Sequence, residues 1–316
     1  MTTAKLSQAS RGLLLQAARS FYRKHADLIK ESHGIVHAET VYHHACNAIE
    51  SLSAAPSSSS TNGHYHQPLS PDQALEIEAA ALLHDVDDDK YFPKPNNWHI
   101  NSKTIETKAK EERLKHYTNL YPNALSLLKE AKIPESSHET ILFMIDSVSC
   151  SKNGNSVPKR VDDGSSSNNR TSTDNTSSSV TNYHYLIPRW SDRIEAVGAR
   201  GVWRCYQYNR EKNRPLDLPG VTPRPRTSDE LWSQHVNPER FENYMATEDG
   251  KTDDPSMLGH YYDKLFHVAC PPSQIVRNEY LEAKLRDSAK ELVEVCLRYG
   301  RTGIVDEEYI QSFRDA

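Results

Sequence analysis

Residues 80–93 read AALLHDVDDDKYFP. The apolar run before His84, extended back through Ala74, Leu75 and Ile77, has helical spacing, and Ser70-Pro71-Asp72 supplies a start signal with proline in the first turn. The run stops at His84-Asp85, and Asp87, Asp88, Asp89 and Lys90 follow as an acidic turn. Neighbouring residues inside a helix point about 100° apart. In the last turn, where the chain leaves helical dihedrals, both side chains can swing toward one ion. Imidazole and carboxylate are ligand types that a borderline divalent metal accepts together. The same residues also fit a core histidine followed by a solvated turn, so the metal reading needs further ligands from elsewhere in the chain.

Working outward, the periodicity predicts helices on both sides. Residues 8–30 place Leu13, Leu14, Ala17, Phe21 and Leu28 on one face, and about 36–52 carries His37, Val41, His44, Ala45, Ala48 and Ile49. Beyond the acidic turn, helices are expected over 103–117, 122–132, 136–148, 186–208, 229–246, 256–268 and 273–299. No stretch alternates with period two for long enough to make a strand, so the fold class is all-α, a helical bundle. Two low-complexity segments, 53–70 and 153–182, are rich in Ser with too little to bury, and read as disordered loop insertions in one domain spanning 1–316, its core about 8–300. A third irregular region, 209–226, holds several prolines and basic residues.

Composition narrows the class. The 316 residues are long enough for a sizeable core, and 36% hydrophobic with 26% charged residues fits a soluble globular chain. A net charge of −5 makes no electrostatic case for nucleic acid or an anionic membrane as partner, so phosphate must be met by local Lys, Arg or metal. Five cysteines, odd in number and never in a CxxC pair, point to a reducing compartment and against a disulfide framework or structural zinc. The first 25 residues have only a short leucine cluster in an amphipathic pattern, neither signal peptide nor span. The expected location is cytoplasmic or nuclear.

On an all-α scaffold the missing ligands should come from a helix before the HD pair and one after it. His37 in SHGIVHAETVYHHA and Asp192 in PRWSDRIEAVGA satisfy this. His37, His84, Asp85 and Asp192 make an N/N/O/O set that water can complete. At this point the chain resembles the HD-domain metal-dependent phosphohydrolases, whose pattern is H…HD…D, and most closely a subgroup that includes bacterial nucleotide pyrophosphohydrolases. AALLHDVDDDKYF, ILFMIDSVSCSKN, SDRIEAVGARGVWRCYQY, NREKNRPL and GHYYDKLFHV carry the resemblance in order, from residue 33 to the C-terminal helices apart from the two insertions. There are departures: the subgroup's HDWxHxxRV reads HGIVHAETV here, with Gly34, Ile35 and Thr40 in place of Asp, Trp and Arg. Trp190-Ser191 also precedes Asp192 where Asp-Ala is common.

The other histidines form no second ligand set of the expected spacing, so a mononuclear centre is the first choice, and N/N/O/O ligation suits Mn²⁺ first, then Fe, Co, Ni and Zn, and Mg less well. A water activated by the ion would attack phosphorus in line. Asp88 falls where related enzymes place an acid/base, or it caps the turn; Lys90 is of the type that neutralises phosphate. Arg193 is a further phosphate contact or an ion-pair support for a ligand carboxylate. Lys152, Arg214, Tyr261 and Lys264 are the expected substrate-binding residues. Gly198 and Gly201 in AVGARG suggest close helix approach within a helix pattern, and His99 or His116 would complete any second metal site. The expected reaction is hydrolysis of a small nucleotide-like substrate, foremost a nucleoside triphosphate to monophosphate and pyrophosphate. Phosphomonoesterase and cyclic-nucleotide phosphodiesterase chemistry use the same ligands. The reading from another class is a non-catalytic nucleotide sensor with residues 164–179 as a regulated loop; the intact ligand set argues against it, and Gly34, Ile35 and Thr40 argue for it.

Overall fold

The structure is a computed structural model; it describes residues 3–30, 33–54, 69–94, 105, 108–158, 160, 182–247 and 252–315. Among these there is no strand, and the fold is all-α. No helix is long and apolar enough to cross a membrane. Most of the two Ser-rich segments, and His99, lie outside the described residues. The chain divides into two compact units, Met1–Ser191 with Gln274–Asn278, and Asp192–Ser273 with Glu279–Ala316.

In the first unit the helix of the opening motif is the centre. Helices α1 (Thr3–Lys24), α2 (Ile35–Ala54), α3 (Pro71–Leu83), α4 (Lys110–Leu120), α5 (Pro122–Glu130) and α6 (Glu135–Val148) follow in order, and α3 packs on α1, α2 and α6. Every residue of α3 from Glu78 to Leu83 is buried, as is its earlier Ala74-Leu75. A helix apolar on all sides has to be enclosed, and the small Ala79-Ala80-Ala81 lets its neighbours come close. Its first turn is closed by a capping box: Ser70 Oγ accepts from the Gln73 amide (3.2 Å) and the Gln73 side chain accepts from the Ser70 amide (2.9 Å). The one buried charge on it, Glu78, is met by Arg11 of α1, whose Nη2 donates at 3.0 Å. Helix α1 ends at Lys24 instead of running to residue 30, and Leu28 is exposed.

The second unit is organised on α11. Helices α7 (Ile187–Val197, from Asp192 onward), α8 (Ala199–Glu211), α9 (Pro238–Ala246), α10 (Met257–Ala269, with a wider turn over Tyr261–Leu265), α11 (Glu279–Thr302) and α12 (Glu307–Gln311) make it up. Leu281, Leu285, Ala289, Leu292, Val295, Cys296 and Tyr299 form the buried stripe of α11. Three expected helices are broken. The 229–246 helix parts at Val236 and Asn237, both extended, just before α9. The 186–208 helix stops at Gly198, which starts α8 with an extended ψ of −164°, and a Cβ on Gly201 would lie 2.2 Å from the Ala196 carbonyl oxygen. AVGARG is thus a helix-to-helix corner needing close backbone approach, not a continuous helix. The 273–299 helix is interrupted at Arg277, held at φ 53°. The irregular 209–226 region is ordered: Pro215 and Leu216 carbonyls accept from the Met257 and Leu258 amides (2.9 and 3.0 Å), and the Tyr299 hydroxyl donates to Asp217 (3.0 Å).

Three histidines give this fold an acid limit. His184 is 4% exposed, and burial pushes its imidazole down to about 4; His267 falls to about 4 and His260 to about 3 for the same first reason. A depressed histidine pKa means that the unfolded chain binds the proton more tightly, so stability is lost as pH falls through 6.5 toward the folded value. For His184 the penalty at pH 5 relative to pH 8 is about 2 kcal/mol. The melting temperature should therefore drop between pH 7.5 and 5, and the drop should be several degrees smaller in His184→Gln. An equal drop in wild type and variant would contradict the assignment.

Candidate metal centre

Helix α3 ends at Leu83, and His84 is its C-cap, with φ −59° and ψ −29°. The HD pair therefore sits in the departing turn, as the sequence requires. His84 Nδ1 donates to the Ala81 carbonyl at 2.8 Å, which leaves the Nε2 lone pair facing inward, the tautomer of a metal ligand oriented by a backbone carbonyl. His37, on the first turns of α2, brings its Nε2 to 3.2 Å from His84 Nε2. Asp85 Oδ2 lies 3.5 Å from His37 Nε2 and 3.4 Å from His84 Nε2. The two imidazoles are buried and the carboxylate is 15% exposed, so one side of the trio faces outward.

These separations test the fit. Ligand atoms bound about 2.1 Å from a common divalent ion at tetrahedral to octahedral angles stand about 3.0–3.4 Å apart. Two imidazole nitrogens and one carboxylate oxygen at 3.2–3.5 Å match the spacing of one face of such a sphere. Asp192, the fourth expected ligand, is the first residue of the second unit.

The acidic turn divides into roles that composition alone does not separate. Asp87 is buried, and its two oxygens accept from the Asn123 and Ala124 amides (3.1 and 2.8 Å), so it caps the first turn of α5. Asp88 Oδ1 accepts from the Lys90 amide at 2.9 Å and its Oδ2 faces Lys90 Nζ at 3.4 Å; it caps the turn beside the centre. Lys90 Nζ also meets His33 Nε2 at 3.2 Å. His33, Asp85 and Asp88 form a second group of ligand-type atoms within 4.8 Å of one another, sharing Asp85 with the first. His33 is the residue that reading the sequence missed; its place four before His37 is the signal that was available.

Beside the centre, α1 and the start of α2 enclose a cleft of about 570 Å³. Arg19, Tyr22 and Arg23 line one side, Gly34, Ile35 and Val36 the other. Burial, then the charges of Asp85, Asp88 and Asp87, hold the Tyr22 phenol well above its ordinary value, which ties this wall to the acidic turn and keeps the phenol protonated. Thr40, standing where the resembled motif has arginine, turns its hydroxyl to the Val36 carbonyl at 2.8 Å.

The other expected site residues separate. Arg193 is 1% exposed, which suits internal support better than a phosphate contact. Lys152 is paired with Asp146, whose Oδ1 also accepts from Tyr121 at 2.6 Å. His116 lies near Asp146 and Lys152 and belongs to no three-ligand group among the described residues. Tyr261 is fully buried, its ring against Phe266, and is corrected from substrate contact to core. Lys264 and Arg214 do come together in the second unit: after burial, they are what depress His260, and they stack over Tyr244 and Tyr208.

No family model matches the chain. It is 29% identical over 271 residues, 84% of this chain and 88% of the relative, to "Uncharacterized protein L803" of Acanthamoeba polyphaga mimivirus. A crystal structure from Lactobacillus plantarum aligns over 99% of this chain and 97% of its own at 16% identity, with a TM-score of 0.43. The class defined so far is an all-α protein with a His/His/Asp cluster of metal-ligating geometry.

Proposed function

We propose that this chain is an HD-type, divalent-metal-dependent phosphohydrolase acting on a small nucleotide-like substrate, foremost a nucleoside triphosphate cleaved to monophosphate and pyrophosphate. The observation that carries the reading is the convergence of His37, His84 and Asp85 within 3.2–3.5 Å, with Asp192 as proposed fourth ligand and Mn²⁺ as proposed ion. A divalent ion there supplies an activated water and polarises a phosphoryl oxygen. The chain's own residues do the rest. The Ala81 carbonyl fixes the His84 tautomer, Asp88 holds the turn that presents Asp85, and Lys90 offers an ammonium to phosphate oxygens. The neighbouring cleft is of a volume that small-molecule sites have; Arg19 on its wall is paired with Glu39 at 2.6 Å, and Arg23 is the lining arginine that suits an anionic substrate.

The test is a panel of nucleoside triphosphates, monoesters and cyclic nucleotides given to metal-stripped protein with and without Mn²⁺, reading pyrophosphate and orthophosphate separately. Metal-dependent pyrophosphate release is the expected result. Orthophosphate alone would move the reading to a phosphomonoesterase, and no product from metal-loaded protein would overturn it.

A further inference from the structure

Asp85 serves two groups of ligand-type atoms: His37 and His84 on one side, His33 and Asp88 on the other. A second divalent ion bridged through Asp85 would need the His33/Asp88 side, as in two-metal phosphoryl-transfer sites whose ions lie about 3.5–4 Å apart. That position already has a cation. Lys90 Nζ is 3.2 Å from His33 Nε2 and 3.4 Å from Asp88 Oδ2. We infer that the Lys90 ammonium is the built-in occupant of a second cation position, so that the centre holds one divalent ion and one ammonium in place of two ions. The inference rests on the metal-centre reading above.

The local chemistry agrees. An ammonium has only protons to donate, so His33 Nε2 receives one with its lone pair, the same lone pair a metal would use. Nδ1 then carries the ring proton and donates to the Tyr91 hydroxyl oxygen at 3.3 Å. His33 is thus oriented as a metal ligand is, by a partner on its far nitrogen. Lys90 is tethered where it acts, because its own amide bonds Asp88 Oδ1 at 2.9 Å. A divalent ion entering this side would meet a fixed positive charge a few ångströms away. The Lys90 side chain is 64% exposed, so changing it leaves the core alone.

Mn²⁺ bound per chain, measured on the full metal-stripped protein by equilibrium dialysis and electron paramagnetic resonance, decides it. Wild type and Lys90→Arg should take one Mn²⁺. Lys90→Asp should take two, with the exchange-coupled spectrum of a close pair, and adding His33→Ala should return the count to one. Lys90→Met should bind its second equivalent at least about tenfold more tightly than wild type. One Mn²⁺ in both Lys90→Asp and Lys90→Met, or two in wild type, overturns the inference while leaving the metal centre standing. None in wild type overturns the metal centre and the inference with it.

Discussion

Asp85→Asn should lower metal-dependent hydrolysis by roughly three orders of magnitude, beyond the 10–100-fold typical of residues that only support a ligand. Asp85 is the anionic member of the converged trio; a histidine ligates a metal through a neutral ring nitrogen, so of the three residues Asp85 alone would bring negative charge to the proposed centre. Asparagine keeps the shape and an oxygen but removes the charge that offsets the ion's hydration. The variant should also lose tight Mn²⁺ binding. Its far-ultraviolet circular dichroism should match that of wild type, because the side chain is partly exposed and α3 ends before it. Steady-state kinetics beside metal analysis checks this. Activity within tenfold of wild type would remove Asp85 from the centre.

Gly300→Ala should be the most damaging small change outside the site. An ideal Cβ there would lie 1.9 Å from the Pro225 carbonyl oxygen and 2.9 Å from its carbon, so two backbones collide and no rotamer relieves them. The expected cost is about 3 kcal/mol or more, which lowers the melting temperature by roughly 4–6 °C in a chain of this size. Gly12→Ala is the control: nothing lies within 4 Å of its Cβ in the middle of α1. There alanine should be stabilising, by up to about 1 kcal/mol. Calorimetry of the two variants separates steric from propensity effects. A Gly300→Ala transition as high as that of wild type would contradict the packing of Pro225 on α11.

What the sequence made legible was local. The start of α3 at Ser70-Pro71, its end at the HD pair and the helical position of His37 all follow from spacing and capping residues within a turn or two. What it hid depends on partners far along the chain. Asp87 looks like its neighbours until the amides of Asn123 and Ala124 are brought to it. Tyr261 sits in a motif rich in polar residues, yet tertiary packing on Phe266 buries it. The 209–226 segment has the composition of a loop, but hydrogen bonds from the Met257 and Leu258 amides and from Tyr299 order it. Gly198 and Arg277 break helices whose apolar periodicity runs on past them, because backbone geometry at one residue leaves no mark on a hydrophobic pattern. His33 lies outside α2, two residues before its first residue Ile35, so the apolar spacing of that helix does not mark it.

The central claim is that His37, His84 and Asp85 hold a divalent ion. Its most direct test is electron spin echo modulation on Mn²⁺-reconstituted protein, beside His84→Ala. The proposal calls for one tightly bound Mn²⁺ coupled to two histidine nitrogens, and for loss of that ion or of one nitrogen coupling in the variant. Mn²⁺ showing no nitrogen coupling, or the same two couplings without His84, would contradict it.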